Sequence, residues 1–548
     1  MRRSWAAPLV VVVAAVIGGG WLLQEGVDRA EDVYPKVRLF QEVLDRVESS
    51  FVDSVETAKL YDSAIEGVLQ ELNDPYSSFL PAEDFENLRI QGIEGDYGGV
   101  GLEVIERNGW VTVVSPMPGT PGARAGIRSG DQFYEIEGIA ADTLEVDQAV
   151  ALLRGKPGTP VAVKMLRPGV DEPIPFTLTR EKIQLRAVPF AVMLEDGIGY
   201  VPLQSVLESA SAEMSAVLDS LKGEGMERLV LDLRDNPGGV LDQGIEVSDL
   251  FLSPGSAIVE TRGRQTDQNS VYKASKPDRY PGLPIVVLVD GTSASASEIV
   301  AGALQDNDRA LIVGESTFGK GMVQSLYRLS GGNVLRLTTA RWYTPVGRSI
   351  NKDPDVRFHG DGAEALALSG QFTLGPDTAG RPTHTSVGGR TLLGGGGIAP
   401  DVLVMPETLT EEEEVAVRAL YRQAGALSVA IFNFAVRYVG SHPVLQPGFT
   451  LGDADLAEFI RALPEWDVDV ERDAVLRARR FVAYQLEQEI ALRAWGDRGR
   501  FLQERRHDVQ LDRAMELLRG TSSTAELLAR ASGEVPSGHV PDTTGARD

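Results

Sequence analysis

The hydrophobic residues follow a helical spacing early in the chain. Val33, Val37 and Phe40 recur every three or four positions, the interval that places side chains on one helix face. This pattern predicts an N-terminal helical region over 25–94. Beyond it, glycine becomes frequent and the apolar runs become short, which predicts a β-rich domain with helices over 95–182.

The middle of the chain alternates between strand and helix patterns. Short apolar runs at 229–233, 285–289 and 310–313 are typical of strands buried on both faces. Helical patterns separate these runs, and the alternation predicts an α/β domain over 183–404. Two further segments follow it, namely a helical C-terminal extension over 405–531 and a polar, disordered tail over 532–548.

The first residues have the pattern of a targeting segment. Arg2 and Arg3 precede an almost wholly apolar stretch over 6–23, as in a signal peptide or a single membrane anchor over 1–24. We expect an uncleaved anchor whose positive end stays in the cytoplasm. The sequence therefore predicts membrane attachment and a location in the cell envelope, on the extracytoplasmic (periplasmic) side.

Composition excludes several classes of function. The 548 residues include no cysteine and only five histidines, and the net charge is −26. Thiol chemistry and disulfides are absent, and no metal-binding histidine spacing occurs, so we expect neither a metal site nor a cofactor. The negative charge repels phosphate backbones, so we expect no nucleic-acid partner.

One serine stands where a nucleophile could be exposed. Ser295 follows the apolar run 284–290 through a turn of small residues, and a helical pattern begins directly after it. A strand, a sharp turn and a helix can present a hydroxyl at the edge of a sheet, beside free helix amides. Serines at such a turn also cap helices without any catalytic role, so this feature alone leaves both interpretations open.

A lysine is the best available base for that serine. A serine hydroxyl needs a base to take its proton, and no histidine lies near Ser295. Lys320 lies between Gly319 and Gly321, just after the apolar run 310–313. A crossover unit can bring two such loops to one sheet edge. The segment 314–320 also resembles a phosphate-binding P-loop, but Gly321 replaces the hydroxyl that would bind magnesium.

Other nearby residues could complete such a site. Gln324 could orient the lysine amine, although it could equally be an ordinary polar residue. Ala296 could donate its amide to an oxyanion, and Gly238 or Gly239 could supply a second donor. A simple turn at the end of a strand would explain the two glycines equally well.

Four motifs stand in order along the chain: 232–239 (DLRDNPGG), 293–299 (SASASEI), 314–324 (GESTFGKGMVQ) and 343–350 (YTPVGRSI). Together they resemble the motifs of the C-terminal processing peptidases, also called tail-specific proteases. The resemblance covers about residues 30–404 and implies a ClpP/crotonase-like α/β protease core. It also implies that Ser295 is the nucleophile, Lys320 the general base and Gln324 its orienting partner.

The same family carries a PDZ domain, and the segment 97–104 (YGGVGLEV) resembles its carboxylate-binding loop. In this interpretation Gly99 and Gly101 free backbone amides to face the terminal carboxylate of a peptide. Val100 and Leu102 would line a pocket for its apolar last side chain. A second segment, 115–131, resembles the part of a PDZ domain that follows.

The resemblance implies a serine endopeptidase with a Ser-Lys dyad that recognises apolar C-terminal tails of proteins or peptides through its PDZ domain. Two other classes stay open, a catalytically inactive PDZ scaffold and a P-loop nucleotide-binding protein. Self-association into a homo-oligomer is also open, as is the role of the extension after residue 404.

Overall fold

The computed structural model describes residues 34–532, except 108, 118, 168, 169, 171, 353–364, 374–379, 467 and 469. The described chain divides into two compact units. The smaller contains 34–82 and 324–338, and the larger contains 83–323 and 339–532. The predicted membrane anchor and the predicted disordered tail fall outside the described residues, apart from Ser532.

The smaller unit is mainly helical. Its elements are helix α1 (34–50), helix α2 (Thr57–Gln70), strand β1 (Ser78–Leu80), and parts of strands β17 (Met322–Arg328) and β18 (Val334–Tyr343). Strand β1 pairs with β18 in antiparallel register, with Ser78 opposite Arg336 and Leu80 opposite Val334. The helical pattern predicted for this part of the chain is therefore observed.

The larger unit begins with a small β-rich domain. Its elements are α3 (Ala82–Leu88), β2 (Asp96–Gly99), β3 (Leu102–Arg107), β4 (Trp110–Pro116), α4 (Pro121–Arg124), β5 (Gln132–Ile136), β6 (Ile139–Ala140), α5 (Val146–Leu153), β7 (Pro160–Leu166), β8 (Ile174–Thr179) and β9 (Glu181–Gln184). The sheet order is β3-β4-β5-β7-β8, and β2 pairs separately with β9. Its core includes Val113, Phe133 and Met165, all fully buried.

The central α/β domain follows. Its elements are β10 (Val192–Met193), β11 (Ile198–Pro202), α6 (Ala210–Gly223), β12 (Arg228–Asp232), α7 (Leu241–Asp249), β13 (Ala257–Gly263), β14 (Ser270–Lys273), β15 (Ile285–Val289), α8 (Ala296–Asp306), β16 (Leu311–Gly314), β19 (Ala365–Leu366), β20 (Phe372–Thr373), β21 (Thr383–Thr385), β22 (Thr391–Leu393) and β23 (Val402–Leu403). Six of these strands form one sheet in the order β10-β11-β12-β15-β16-β23. Only β10 runs antiparallel to its neighbour.

Helices cover both faces of this sheet. On one face, Leu231 and Val287 pack in a cluster that includes residues of α6, α7 and α8. On the other face, Val230 and Val286 share a cluster with Phe501 and with residues of two late helices. Burial of both faces explains why the strand sequences are continuous apolar runs rather than alternating ones.

The C-terminal part is helical, and its elements are α9 (Glu411–Leu420), α10 (Ala424–Ser441), α11 (Asp453–Ala462), α12 (Arg472–Arg477), α13 (Arg479–Glu504), α14 (Val509–Leu518) and α15 (Thr524–Ser532). Residues of α9 to α13, together with Leu366 and Leu368, form a second core around Phe434 and Phe459. Helices α14 and α15 lie against the second face of the central sheet. The predicted fold class, an α/β core with a β-rich domain and flanking helical regions, is confirmed.

One sequence-based prediction is wrong. Within the described residues, no helix has both the length and the hydrophobicity to cross a membrane. The prediction of a single N-terminal transmembrane anchor, and the envelope location derived from it, is corrected accordingly. That prediction came from the apolar composition of 6–23, a stretch outside the described residues.

Candidate active site

The turn between β15 and α8 holds Ser295 in an unusual conformation. Ser295 precedes the first residue of α8 and has φ 56° and ψ −117°, which is rare for a residue with a side chain. A strained backbone of this kind costs about 1–3 kcal/mol and persists only where its surroundings fix it. The predicted arrangement of strand, sharp turn and helix is observed.

The serines on either side of Ser295 have structural roles. Ser293 is fully buried, and its hydroxyl donates to the carbonyl oxygen of Leu233 at 2.8 Å. Ser297 is also fully buried, and its hydroxyl bonds to the carbonyl oxygen of Ala294 at 2.7 Å. Ser295 is only partly buried. Its neighbours therefore stabilise the turn, while Ser295 remains accessible for chemistry.

The carboxylate of Asp290 fixes the start of the turn. It accepts hydrogen bonds from the backbone N–H of Thr292 at 3.0 Å and of Ser293 at 2.9 Å. It also accepts the N–H of Asp235, at 3.3 and 3.2 Å to its two oxygens. Asp290 thus joins the serine turn to the loop that follows β12.

That loop, residues 235–239, lies directly against the serine turn. The carbonyl oxygen of Asn236 accepts the N–H of Ala294 at 2.9 Å, and the Asn236 side chain donates to the carbonyl oxygen of Leu203 at 2.6 Å. A Cβ atom added at Gly238 would lie 2.5 Å from the carbonyl oxygen of Ala294 and 2.7 Å from the amide nitrogen of Ala296. Only glycine fits at this point of contact.

The structure distinguishes between the two glycines predicted as oxyanion donors. The N–H of Gly238 donates to the side-chain oxygen of its neighbour Asn236 at 2.8 Å. Within the described residues, neither Gly239 N–H nor Ala296 N–H donates to a protein acceptor. The amides of Ala296, directly after Ser295, and of Gly239, directly after Gly238, are therefore free, whereas the amide of Gly238 is already occupied.

A buried carboxylate connects the serine turn with the lysine loop. Glu298 is fully buried, and its Oε2 accepts the backbone N–H of Ser295 at 2.8 Å and of Lys320 at 2.9 Å. Its Oε1 accepts the hydroxyl of Thr317 at 2.5 Å and the N–H of Gly319 at 2.7 Å. One side chain thus holds the backbones of both predicted catalytic residues.

The environment of Glu298 has opposing effects on its charge. Burial raises the pKa of its carboxyl group, and the hydrogen bonds from Thr317, Lys320, Gly319 and Ser295 oppose that shift without cancelling it. All four partners are donors, and an ionised carboxylate has only acceptor sites. The hydrogen-bond arrangement therefore fits the ionised form.

Sequence reasoning missed Glu298, although a signal for it was present. A serine followed three residues later by glutamate at the start of a helix is typical of a capping box. The bond from Ser295 N–H to Glu298 is one half of that motif. What the motif could not reveal is the second use of the same carboxylate, because Lys320 lies 22 residues further along the chain.

Lys320 itself is partly buried. Its carbonyl oxygen accepts the indole N–H of Trp342 at 3.0 Å, and Trp342 N–H donates to the carbonyl oxygen of Gly321 at 3.0 Å. The amides of Gly319 and Lys320 are engaged by Glu298. Because a P-loop needs its amides free to bind phosphate, the nucleotide-binding alternative loses its support.

Gln324 lies on β17, in the smaller unit. Its side chain is partly buried, and its amide nitrogen has no hydrogen-bond partner within the described residues. The predicted role of Gln324 in orienting the lysine stays a prediction.

The predicted PDZ loop has the backbone that a carboxylate site requires. Gly101 has φ 69°, a conformation that favours glycine, and its carbonyl oxygen accepts Met117 N–H at 2.9 Å. In the described part of the chain, neither Val100 N–H nor Gly101 N–H donates to a protein acceptor. Gly99 ends strand β2. Val100 and Leu102, at 2% and 8% exposure, are buried in the core of the domain.

No group of three or more histidine, aspartate or glutamate side chains suited to holding a metal ion occurs within the described ranges. The described histidines are His384, His442 and His507. The carboxylates near Ser295 are bonded to backbone amides, as described above for Glu298 and Asp290.

Three family models match the chain. Peptidase family S41 matches residues 197–358, a PDZ domain matches 112–167, and the activating protease CtpB N-terminal domain matches 22–84. These ranges agree with the α/β domain, the β-rich domain and the N-terminal helical region described above.

The chain is similar to several known proteins. The carboxy-terminal-processing protease of Bartonella bacilliformis is 40% identical over 324 residues, which are 58% of this chain and 74% of that protein. The carboxy-terminal processing protease CtpA of Bacillus subtilis is 33% identical over 362 residues, covering 64% and 76%. A solved structure, the photosystem II D1 C-terminal processing protease, is 30% identical with a TM-score of 0.33, covering 57% and 89%. The two bacterial relatives and the S41 and PDZ matches show that the chain belongs to the carboxy-terminal processing proteases, which are serine peptidases of family S41 that carry a PDZ domain.

Proposed function

We propose that this protein cleaves peptide bonds with a Ser-Lys dyad, in which Ser295 is the nucleophile and Lys320 the general base. The observation that carries the proposal is the shared carboxylate of Glu298, which binds the backbone N–H of both residues. Two loops that lie far apart in sequence are thereby held to one anchor. The strained backbone of Ser295 is consistent with a functional position.

The chemistry follows from the two side chains. The neutral amine of Lys320 removes the proton of the Ser295 hydroxyl as its oxygen attacks the peptide carbonyl. The resulting ammonium returns a proton to the leaving amine, which departs and leaves an acyl-enzyme on Ser295. A water molecule, deprotonated in the same way, then hydrolyses the ester and releases the serine. The sequence resemblance alone supports Gln324 as the residue that orients the amine.

The free amides of Ala296 and Gly239 are the proposed oxyanion donors. Ala296 directly follows Ser295, and Gly239 follows Gly238, which lies against the serine turn. Neither amide donates to another protein group within the described chain. Each such donor contributes about 3 kcal/mol to transition-state stabilisation. Because the N–H of Gly238 already donates to Asn236, we do not propose Gly238 as an oxyanion donor.

The PDZ domain is proposed to capture apolar C-terminal tails. The free N–H groups of Val100 and Gly101 would bind the terminal carboxylate. The buried side chains of Val100 and Leu102 hold the loop in place and offer little surface to a ligand. Recognition of the carboxylate by the backbone therefore carries this part of the proposal.

The test uses an unfolded protein with an apolar C-terminal tail, incubated with the wild type and with Ser295→Ala, and read by mass spectrometry. We expect cleavage by the wild type only, and fluorophosphonate labelling of the wild type at Ser295. An unlabelled wild type that still binds the tail would instead identify an inactive PDZ scaffold.

A further inference from the structure

A buried ion-pair cluster connects the loop before Gly239 with the C-terminal helices. The guanidinium of Arg234 donates to Asp232 at 2.6 Å and to both carboxylate oxygens of Asp508, at 2.8 and 2.7 Å. It also donates to the side-chain oxygen of Gln510 at 3.0 Å. The side chains of Arg234, Asp232 and Asp508 are only 18%, 7% and 15% exposed. One guanidinium is thus held between two carboxylates in a protected setting.

The charges of the cluster depend on one another. Burial alone would raise the pKa of Asp508, but the charge and hydrogen bonds of Arg234 bring this pKa below its usual range. Removal of one member of a buried ion pair leaves its partner uncompensated, which is far more disruptive than loss of an exposed pair. The cluster therefore fixes the position of Arg234 firmly.

Asp508 is anchored at the C-terminal side of this connection. Its Oδ1 accepts the N–H of Leu511 at 2.9 Å, which caps helix α14. Gln510 donates to the carbonyl oxygen of Val404 at 2.8 Å, next to the last strand of the central sheet. Helix α14 packs against the sheet through Leu511 and Met515. Asp508 is therefore held in the helical layer that covers the second face of the central sheet.

At its other end, the cluster leads directly to the proposed oxyanion loop. Arg234 is followed by Asp235, which has φ 58°, and this strained conformation needs fixed surroundings. A second contact reaches the same residue, because Gln371 donates to the Asp235 carboxylate at 2.5 Å. The segment carrying Gln371 is itself held by helix α13, where Gln485 donates to the carbonyl oxygen of Ser369 at 3.0 Å.

We propose that the C-terminal helical extension is part of the catalytic machinery, because Asp508 and Arg234 act as positioning residues for the oxyanion loop 235–239. This inference rests on the proposed function. The cluster would hold the Gly239 amide at the place where charge develops in the transition state. Its loss would weaken stabilisation of the tetrahedral intermediate and leave capture of the substrate tail intact.

The test compares the full-length wild type with Asp508→Asn, Gln371→Ala and the matched control Glu516→Gln. Glu516 is exposed on the same helix α14, where it pairs with its helix neighbour Arg513. The probe is a peptide boronate, whose boron forms a negatively charged tetrahedral adduct with a serine. For Asp508→Asn we expect boronate affinity and kcat to fall by about 100-fold, as for loss of an oxyanion donor. Binding of a tailed protein to the Ser295→Ala form of each variant should stay within about twofold of the control.

If Asp508→Asn folds poorly, Gln371→Ala provides the test. The Gln371 side chain is exposed, so its removal should not impair folding. We expect its kcat to fall by about threefold to tenfold with an unchanged melting temperature. Unchanged boronate affinity of folded Asp508→Asn, or of Gln371→Ala where Asp508→Asn does not fold, overturns the proposal and leaves the contacts purely structural. A wild type that neither cleaves the tailed protein nor binds the boronate shows instead that the proposed function is wrong, and the positioning role falls with it.

Discussion

At the scale of single residues, Glu298 is the side chain on which the proposed site depends most. Its two oxygens accept four hydrogen bonds from Ser295, Thr317, Gly319 and Lys320. A glutamine of the same shape would place an amide NH₂ against at least one of these donors. Two donors facing each other in a buried site leave both without a partner.

Glu298→Gln is therefore expected to lower kcat by about 100-fold or more and to lower the free energy of unfolding by about 1–3 kcal/mol. Urea denaturation gives the stability, and cleavage of a tailed protein gives kcat. Glu516→Gln, the same change at an exposed position, should leave both at wild-type values. Full activity of Glu298→Gln would show that the shared carboxylate does not organise the site.

Gly238→Ala tests the contact between the oxyanion loop and the serine turn. The added methyl group would lie 2.5 Å from the carbonyl oxygen of Ala294, so the two loops must separate. We expect loss of activity by about 100-fold or more and a lower melting temperature. Gly255→Ala is a matched control, because Gly255 has the same φ of 89° but no atom within 4 Å of the added carbon. Equal effects of the two substitutions would mean that backbone strain, rather than the contact, is responsible.

At the scale of elements, the sequence was most informative where one strand, one turn and one helix follow each other directly. The run 285–289 and the helix after Ser295 were predictable, because a strand buried on both faces is continuously apolar. The four hydrogen bonds of Glu298 could not be predicted, because three of its partners, Thr317, Gly319 and Lys320, lie on a loop beyond the next strand. Local patterns specify an element and its cap, but they do not specify which loop a buried side chain will meet.

The carboxyl group of Glu315, the residue directly after strand β16, has a strongly raised pKa. Burial raises the pKa of Glu315 from its ordinary value of 4.5 to about 7. Thr373 and, more weakly, Arg234 oppose this shift, while the charge of Asp290 adds to it. The folded protein therefore binds this proton more tightly than the unfolded chain does. Between about pH 4.5 and 7 the contribution of Glu315 to stability falls as pH rises.

Glu315→Gln removes this titration. We expect the variant and the wild type to have similar melting temperatures near pH 4, and the variant to be more stable by several degrees near pH 8. Thermal unfolding across this pH range is the measurement. A constant difference between the two proteins at every pH would contradict a raised pKa for Glu315.

At the scale of the whole molecule, the proposed division of labour places capture in the PDZ domain and chemistry in the α/β domain. A Cβ atom at Gly101 would lie 2.3 Å from the side chain of Thr120, so Gly101→Ala should deform the carboxylate loop. We expect this variant, and a substrate with an amidated C-terminus, to slow cleavage by about tenfold or more. Gly126→Ala is the control, because Gly126 lies in the same domain at φ 80° with open space around it.

Fluorophosphonate labelling of Ser295 in the same variants shows whether the PDZ domain only captures the substrate or also controls the reactivity of Ser295. If the PDZ domain only captures substrate, the labelling rate of Gly101→Ala should equal that of the wild type. A parallel loss of labelling and cleavage would show that the domain also controls the site. Cleavage that is insensitive to amidation would contradict tail recognition.

For the C-terminal helices, the sequence predicts the helices themselves but not the elements they pack against. Their amphipathic patterns predict helices with a buried face, and the structure contains them. The patterns do not identify the element against which the buried face packs. Helix α14 packs on the central sheet, and all strands of that sheet except β23 lie more than 190 residues earlier in the chain. The pairing of Asp508 with Arg234, separated by 274 positions, is equally invisible to local analysis.

The central claim is that Lys320 acts as a neutral base for Ser295, and the most direct test is the turnover of Lys320→Arg on a tailed protein. A guanidinium keeps its charge and cannot accept the serine proton, so we predict a rate at least about 1000-fold below the wild type. Lys320→Ala, Ser295→Ala and the double variant should be equally inactive, because the pair works as a unit. Lys222→Arg, at an exposed position on α6, should retain full turnover. Measurable turnover by folded Lys320→Arg, above that of Ser295→Ala, would contradict the assignment of Lys320 as the base.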